Sequence, residues 1–176
     1  ITLSLISGIM LALAFPPLDF YSLAWVAIIP LLISLGGKEL KASFFLGTLT
    51  GFVYFIGTIY WVFNSMYFYG NIPAVLSLLI LIALCLYLGV YIGIFSMLFR
   101  YLSKRSRFPA LFIVPVLWVT LEVVRTYAFT GFPWSILGYS QYNFLTFIQI
   151  ADITGVYGIS FFVAAVNGAI FDVLIY

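Results

Sequence analysis

Histidine is absent from these 176 residues, cysteine occurs once, and charged side chains make up only 7% of the chain. No internal disulfide and no Cys/His zinc site can be assembled from such a set. The single thiol, Cys85, sits amid the apolar run Leu79–Leu88, far from any base that would form a thiolate, and reads as a core or lipid-facing side chain. Lysine occurs only at 38, 41 and 104. A nucleophile, an acid and a base therefore cannot be brought together from this sequence, and no catalytic residue, metal or cofactor is assigned to it. The net charge of +2 comes from two short basic clusters and gives no reason to expect nucleic acid as a partner.

What replaces the missing polar residues is hydrocarbon. The chain is 65% hydrophobic with a mean hydropathy of +1.24, against about 45–50% apolar and about 25% charged in soluble domains. A soluble fold could not cover such a core. The apolar runs are long and continuous rather than alternating, which excludes a β-barrel pattern. The fold class expected is all-α: a polytopic membrane helical bundle of about six transmembrane helices joined by short loops, in one domain over 1–176.

The expected spans are roughly 1–15, 21–35, 42–63, 73–99, 109–129 and 153–176. The first, at 15 residues, reaches only about 22 Å, and Pro16-Pro17 stops it without a signal-peptide cleavage pattern. Pro30 predicts a kink or an early end in the second. Gly47, Gly51 and Gly57 in the third, and Gly89-x-x-x-Gly93 in the fourth, are small-residue patterns that let helices approach closely. Asn143 to Asp152 reads as an amphipathic piece before the last span. The chain begins at Ile1 and has no polar flank at either end, so it is expected to be part of something longer.

The loops sort by charge. Those at 36–41 and 100–107 hold Lys38, Lys41, Arg100, Lys104, Arg105 and Arg107, six of the seven basic residues. The positive-inside rule makes that side cytoplasmic. With six spans, loops 16–20, 64–72 and 130–145 then share the outer face, and all are aromatic and nearly free of charge.

Thr130–Tyr142, Thr-Gly-Phe-Pro-Trp-Ser-Ile-Leu-Gly-Tyr-Ser-Gln-Tyr, is too rich in Gly and Pro for a helix, and its rings suit a headgroup layer. Just upstream, Glu122 and Arg125 stand one turn apart on a helix face. They read either as a structural ion pair or as an outer-leaflet site in which Arg125 meets a phosphate or carboxylate. Trp134, Tyr139, Gln141 and Trp61 are candidates to line a lipid or peptide groove, with interfacial anchoring as the plainer role. Asp19 reads as a turn residue or cap, and Asn64 and Asn71 as loop hydrogen-bonders.

In this order the motifs resemble the membrane part of the apolipoprotein N-acyltransferases. The resembling stretches are Ala14-Phe-Pro-Pro-Leu-Asp19, Ile59-Tyr-Trp-Val62 leading into Asn64, and Pro115-Val-Leu-Trp118 with Glu122 and Arg125. Thr130-Gly-Phe-Pro-Trp134, Gly138-Tyr-Ser-Gln141, Gln149-Ile-Ala-Asp152 and Thr154-Gly-Val-Tyr-Gly158 follow. The resemblance implies a multi-pass enzyme of the bacterial inner membrane whose partners are a phospholipid acyl donor and a diacylated lipoprotein acceptor. It also implies a nitrilase-like domain, expected beyond residue 176, whose Glu-Lys-Cys set does the acyl transfer through a thioester; none of those three residues matches a position here. A related module accompanies polyprenol-phosphate mannosyltransferases, and a small transporter or channel subunit is the alternative from another class. A transporter would show an internal repeat or intramembrane charges along a path, and the sequence has neither.

Overall fold

The computed structural model describes residues 1–106, 108–128 and 131–175. Of the positions singled out above, Arg107, Phe129, Thr130 and Tyr176 lie outside the described residues.

The described chain is helical, with no strand. In order come α1 (Thr2–Leu13), a 3-10 turn (Tyr21–Trp25), α2 (Ile29–Ser34) and α3 (Leu40–Thr58). Then follow α4 (Trp61–Asn64), a π-helical turn (Ser65–Tyr69), α5 (Ala74–Arg105) and α6 (Ala110–Tyr127). A second 3-10 turn (Leu137–Gln141), α7 (Leu145–Ile148) and α8 (Ala151–Ile175) complete the order. Four of these, α3, α5, α6 and α8, are long and apolar enough to cross a membrane, whereas α1 and the Tyr21–Ser34 segment are shorter. The second expected span is therefore not one kinked helix. Pro30 occupies the first turn of α2, where its missing N–H costs nothing, so it starts a helix rather than bending one.

The third expected span also ends early. α3 stops at Thr58, and the aromatic stretch that follows turns away as α4 and the π turn, neither of which buries a residue. Arg100–Arg105, read from sequence as loop, is instead the end of α5. At 32 residues this helix is about 48 Å long, so its basic end projects past a hydrocarbon layer of about 30 Å.

Large exposed side chains such as Val75, Leu76, Leu79 and Leu86 on α5 find a favourable surround only in lipid, and the inner faces are closed by small residues. Gly51 of α3 meets Gly89 of α5 so closely that a Cβ at Gly51 would lie 2.7 Å from the Gly89 Cα, while Gly47 packs on Ser96 and the Ile92 carbonyl and Gly93 on Thr48 and Phe44. The two backbones touch, and the small-residue pattern is the reason.

α8 is interrupted at Gly155, whose φ of 66° and ψ of −174° no helix accommodates. α8 packs alongside α6. Asn167, fully buried on α8, accepts from the Ile28 N–H at 2.9 Å and donates to the Ala24 and Val163 carbonyls at 2.9 and 2.8 Å. It satisfies the backbone where the chain between the 3-10 turn and α2 is not helical. Asn167→Leu should leave those groups unpaired and cost about 2–3 kcal/mol. In a thermal melt this is a fall of roughly 5–10 °C in the midpoint.

Candidate functional site

The segment after α6 folds back into the bundle instead of lying on its surface, and three polar side chains hold it there. Glu122, 5% exposed, accepts at Oε1 from the Trp118 Nε1–H at 2.9 Å and from the Leu137 N–H at 2.7 Å. Its Oε2 is buried without a hydrogen bond and lies in the field of Arg125. Arg125, 3% exposed, donates from Nη1 to the Trp134 carbonyl at 2.6 Å and from Nη2 to the Ser135 carbonyl at 3.2 Å. Its guanidinium carbon lies 5.1 Å from the centre of the Phe55 ring. Among the described residues, Glu122 and Arg125 share no hydrogen bond; their side-chain bonds run to this segment and to Trp118, and the Ser160 hydroxyl also sits against the Glu122 carboxylate.

Gln141, fully buried, accepts from the Trp25 Nε1–H at 2.9 Å and donates to the Tyr21 carbonyl at 3.0 Å. The Tyr54 hydroxyl donates to the Ser135 carbonyl at 2.8 Å, and the Gly138 N–H donates to Ser160 Oγ at 2.8 Å. Every neighbouring element thus contributes a bond, because a chain without helical hydrogen bonds must satisfy its backbone some other way inside a membrane domain. Two backbone conformations make the fold-back possible. Gly131 has φ 75°, with the Thr126 carbonyl so near that a Cβ would collide with it, and Ser135 has φ 54°.

Beside this clamped segment lies a groove of about 470 Å³, lined by Phe15, Pro16, Thr58, Tyr60, Trp61, Pro133, Trp134, Ser135 and Tyr139. Trp61 and Trp134 pack as a tilted pair on its wall, with ring centres 6.2 Å apart. Trp61, Trp134 and Tyr139 are 39, 46 and 47% exposed, so their faces are open to an occupant.

The six residues picked out from sequence therefore divide into two groups. Trp61, Trp134 and Tyr139 share the groove. Glu122, Arg125 and Gln141 are buried, with Glu122 Oε1, the two terminal nitrogens of Arg125 and the Gln141 amide engaged. The groove runs between residues 133–139 and the 15–16 and 58–61 turns. Phe15, Pro16 and Thr58 were missed as lining residues. The Pro pair after an apolar run was the signal that could have found two of them.

Asp19 does sit in a turn, at φ 55° with its N–H on the Phe15 carbonyl at 3.1 Å. The Tyr142 phenol is held above its usual pKa, first by its hydrogen bond to Asp19. Among the described residues, no group of three or more Asp, Glu or Cys side chains could hold a metal ion.

Fold and site together define a helical membrane domain that grips one irregular segment from below and keeps an aromatic groove open beside it. The chain matches the model of the apolipoprotein N-acyltransferase N-terminal domain over residues 7–169, and it belongs to that family. It is 41% identical over 172 residues to the apolipoprotein N-acyltransferase of Geobacter metallireducens, covering 98% of this chain and 33% of that protein. The enzymes of that name from Pasteurella multocida and Coxiella burnetii are 35% and 37% identical. They match over 98% and 96% of this chain, and 32% and 35% of their own length. The chain thus spans about a third of the length of the relatives it matches.

Proposed function

We propose that this domain is the membrane-embedded part of a phospholipid-dependent apolipoprotein N-acyltransferase of the bacterial inner membrane. Its aromatic groove guides acyl chains of the phospholipid donor and of the diacylated lipoprotein acceptor toward a nitrilase-like domain outside this segment. The basic end faces the cytoplasm and the groove faces the opposite leaflet. The Glu-Lys-Cys chemistry belongs to that further domain, and this segment alone is inactive. The observation that carries the reading is the groove itself. It is apolar along its walls and bordered by two Trp rings and a Tyr, groups suited to the zone where acyl chains meet headgroups.

In the full-length enzyme, Trp134→Ala and Trp61→Ala should each lower kcat/KM for acyl transfer to a diacylated peptide about tenfold, a loss of about 1.4 kcal/mol of transition-state stabilisation. The unfolding midpoint should hardly move, because both rings are well exposed. Full transfer activity in both variants at normal expression would eliminate the groove as a substrate path.

A further inference from the structure

A second cavity, of about 230 Å³, opens at the opposite, basic end of the bundle. The ends of α2, α5 and α8 and the start of α6 enclose it. Leu32, Leu35, Phe99 and Ala110 form a buried apolar floor. Arg100, Ser103 and Ser106 stand on its polar rim.

Arg100 is the first charged residue of α5 after the uncharged stretch Ala74–Phe99, so it marks the level where that helix leaves hydrocarbon. Its Nε donates to the Lys38 carbonyl at 2.8 Å, which fixes the plane of the guanidinium. Among the described residues its two terminal nitrogens have no hydrogen-bond partner and remain available at the rim. Ser106 Oγ accepts from the Phe108 N–H at 3.3 Å and keeps its own hydrogen to donate.

The carboxylate on the wall, Asp172, is already engaged. Oδ1 and Oδ2 accept from the backbone N–H groups of Ala110 and Leu111, each at 2.9 Å, so its charge is set against the N-terminus of α6. Lys38, Lys41 and Lys104 are exposed on the same basic segments, and Arg105 is held by Tyr101 Oη and its ring. The cavity therefore combines an apolar floor, a fixed fork of N–H donors, hydroxyls and surrounding positive charge at headgroup depth.

We propose that this cavity binds the phosphodiester of an anionic phospholipid from the leaflet at the basic end. Arg100 takes the phosphate oxygens, and Ser103 and Ser106 add hydroxyl donors. Ile33 and Ile175, both exposed on the wall, flank the first methylenes of the chains. A forked guanidinium matches two phosphate oxygens, and the neighbouring lysines favour a lipid of net negative charge over a zwitterionic one. This site is independent of the aromatic groove, at the other end of the helices.

The test uses the full-length enzyme in detergent micelles, titrated with dioleoylphosphatidylglycerol or dioleoylphosphatidylcholine and followed by unfolding midpoint and by native mass spectrometry of retained lipid. Phosphatidylglycerol should raise the midpoint and stay bound, with phosphatidylcholine doing neither. Arg100→Gln should weaken phosphatidylglycerol binding about tenfold, and Arg100→Lys should restore part of it. Arg105→Gln, which removes a charge that does not line the cavity, should change it by less than about twofold. Equal binding of the two lipids, unchanged binding in Arg100→Gln, or equal losses in Arg100→Gln and Arg105→Gln would each overturn the proposal. Should Arg100→Gln fail to fold, Ser103→Phe fills the rim without removing charge, and undiminished phosphatidylglycerol binding in that variant overturns it as well.

Discussion

Replacing Glu122 with alanine should destabilise the folded domain by about 3–5 kcal/mol, a fall of roughly 10 °C or more in the unfolding midpoint. Two effects add. The Leu137 N–H and the Trp118 Nε1–H lose the acceptor they share in a buried site. Arg125, 3% exposed, keeps its charge with only two carbonyl dipoles and a ring face to meet it. Glu122→Gln retains an acceptor at Oε1 and should lose less, about 1–2 kcal/mol. Adding Arg125→Leu to the alanine variant should recover part of the loss, since the uncompensated charge goes with it. A Glu122→Ala protein that melts with the wild type would show that the carboxylate does not anchor the 131–141 segment. In the full-length protein, activity should follow stability in this series, which would separate these buried residues from the groove tryptophans, whose loss should lower rate at constant stability.

The largest effect is expected where two backbones touch. Gly51→Leu or Gly89→Leu should cost about 3 kcal/mol or more and lower the yield of folded protein sharply, as read by detergent-resistant monodispersity and midpoint. A Cβ at Gly89 would lie 2.9 Å from the Thr48 carbonyl and 3.1 Å from the Phe52 nitrogen. Neither neighbour is a side chain that can rotate away, so α3 and α5 must separate. Gly37→Ala is the comparison: its φ is +69° but nothing lies within 4 Å of an added Cβ. Only backbone strain of about 1 kcal/mol is expected there. Equal stability in the Gly89→Leu and wild-type proteins would refute the close contact of these helices.

The long helices were legible because their signal is composition summed over many residues. Leucine, isoleucine and phenylalanine runs of membrane length have few alternatives. Gly89 carried real information too, although a Gly-x-x-x-Gly spacing names no partner; its partner is Gly51, whereas Gly93 packs on Thr48 and Phe44. What could not be read was the behaviour of short segments. Tyr21–Leu35 has the composition of a span, yet it divides into a 3-10 turn and α2, because Asn167 from a distant helix satisfies its backbone. The candidate residues stand out by their scarcity, as the few polar groups beside an uncharged aromatic stretch. Their division into groove lining and buried anchors does not, since an Arg on the end turn of a helix reads the same whether it reaches a lipid or turns inward. Here it turns inward because the Trp134 and Ser135 carbonyls have left helical geometry and need donors.

One asymmetry of the groove bears on how it admits something wider than itself. Its Trp134 side is stapled to α3 and α6 through Tyr54, Thr58 and Arg125, so it moves only if the bundle moves. The side bearing Tyr60 and Trp61 leads into α4 and the π turn, where no residue is buried. Its Val62, Phe63 and Met66 pack against the core but stay partly exposed, so this side is the less firmly held of the two. On the proposed function, any widening of the groove is expected from the Trp61 side, with the Trp134 side as the fixed jamb.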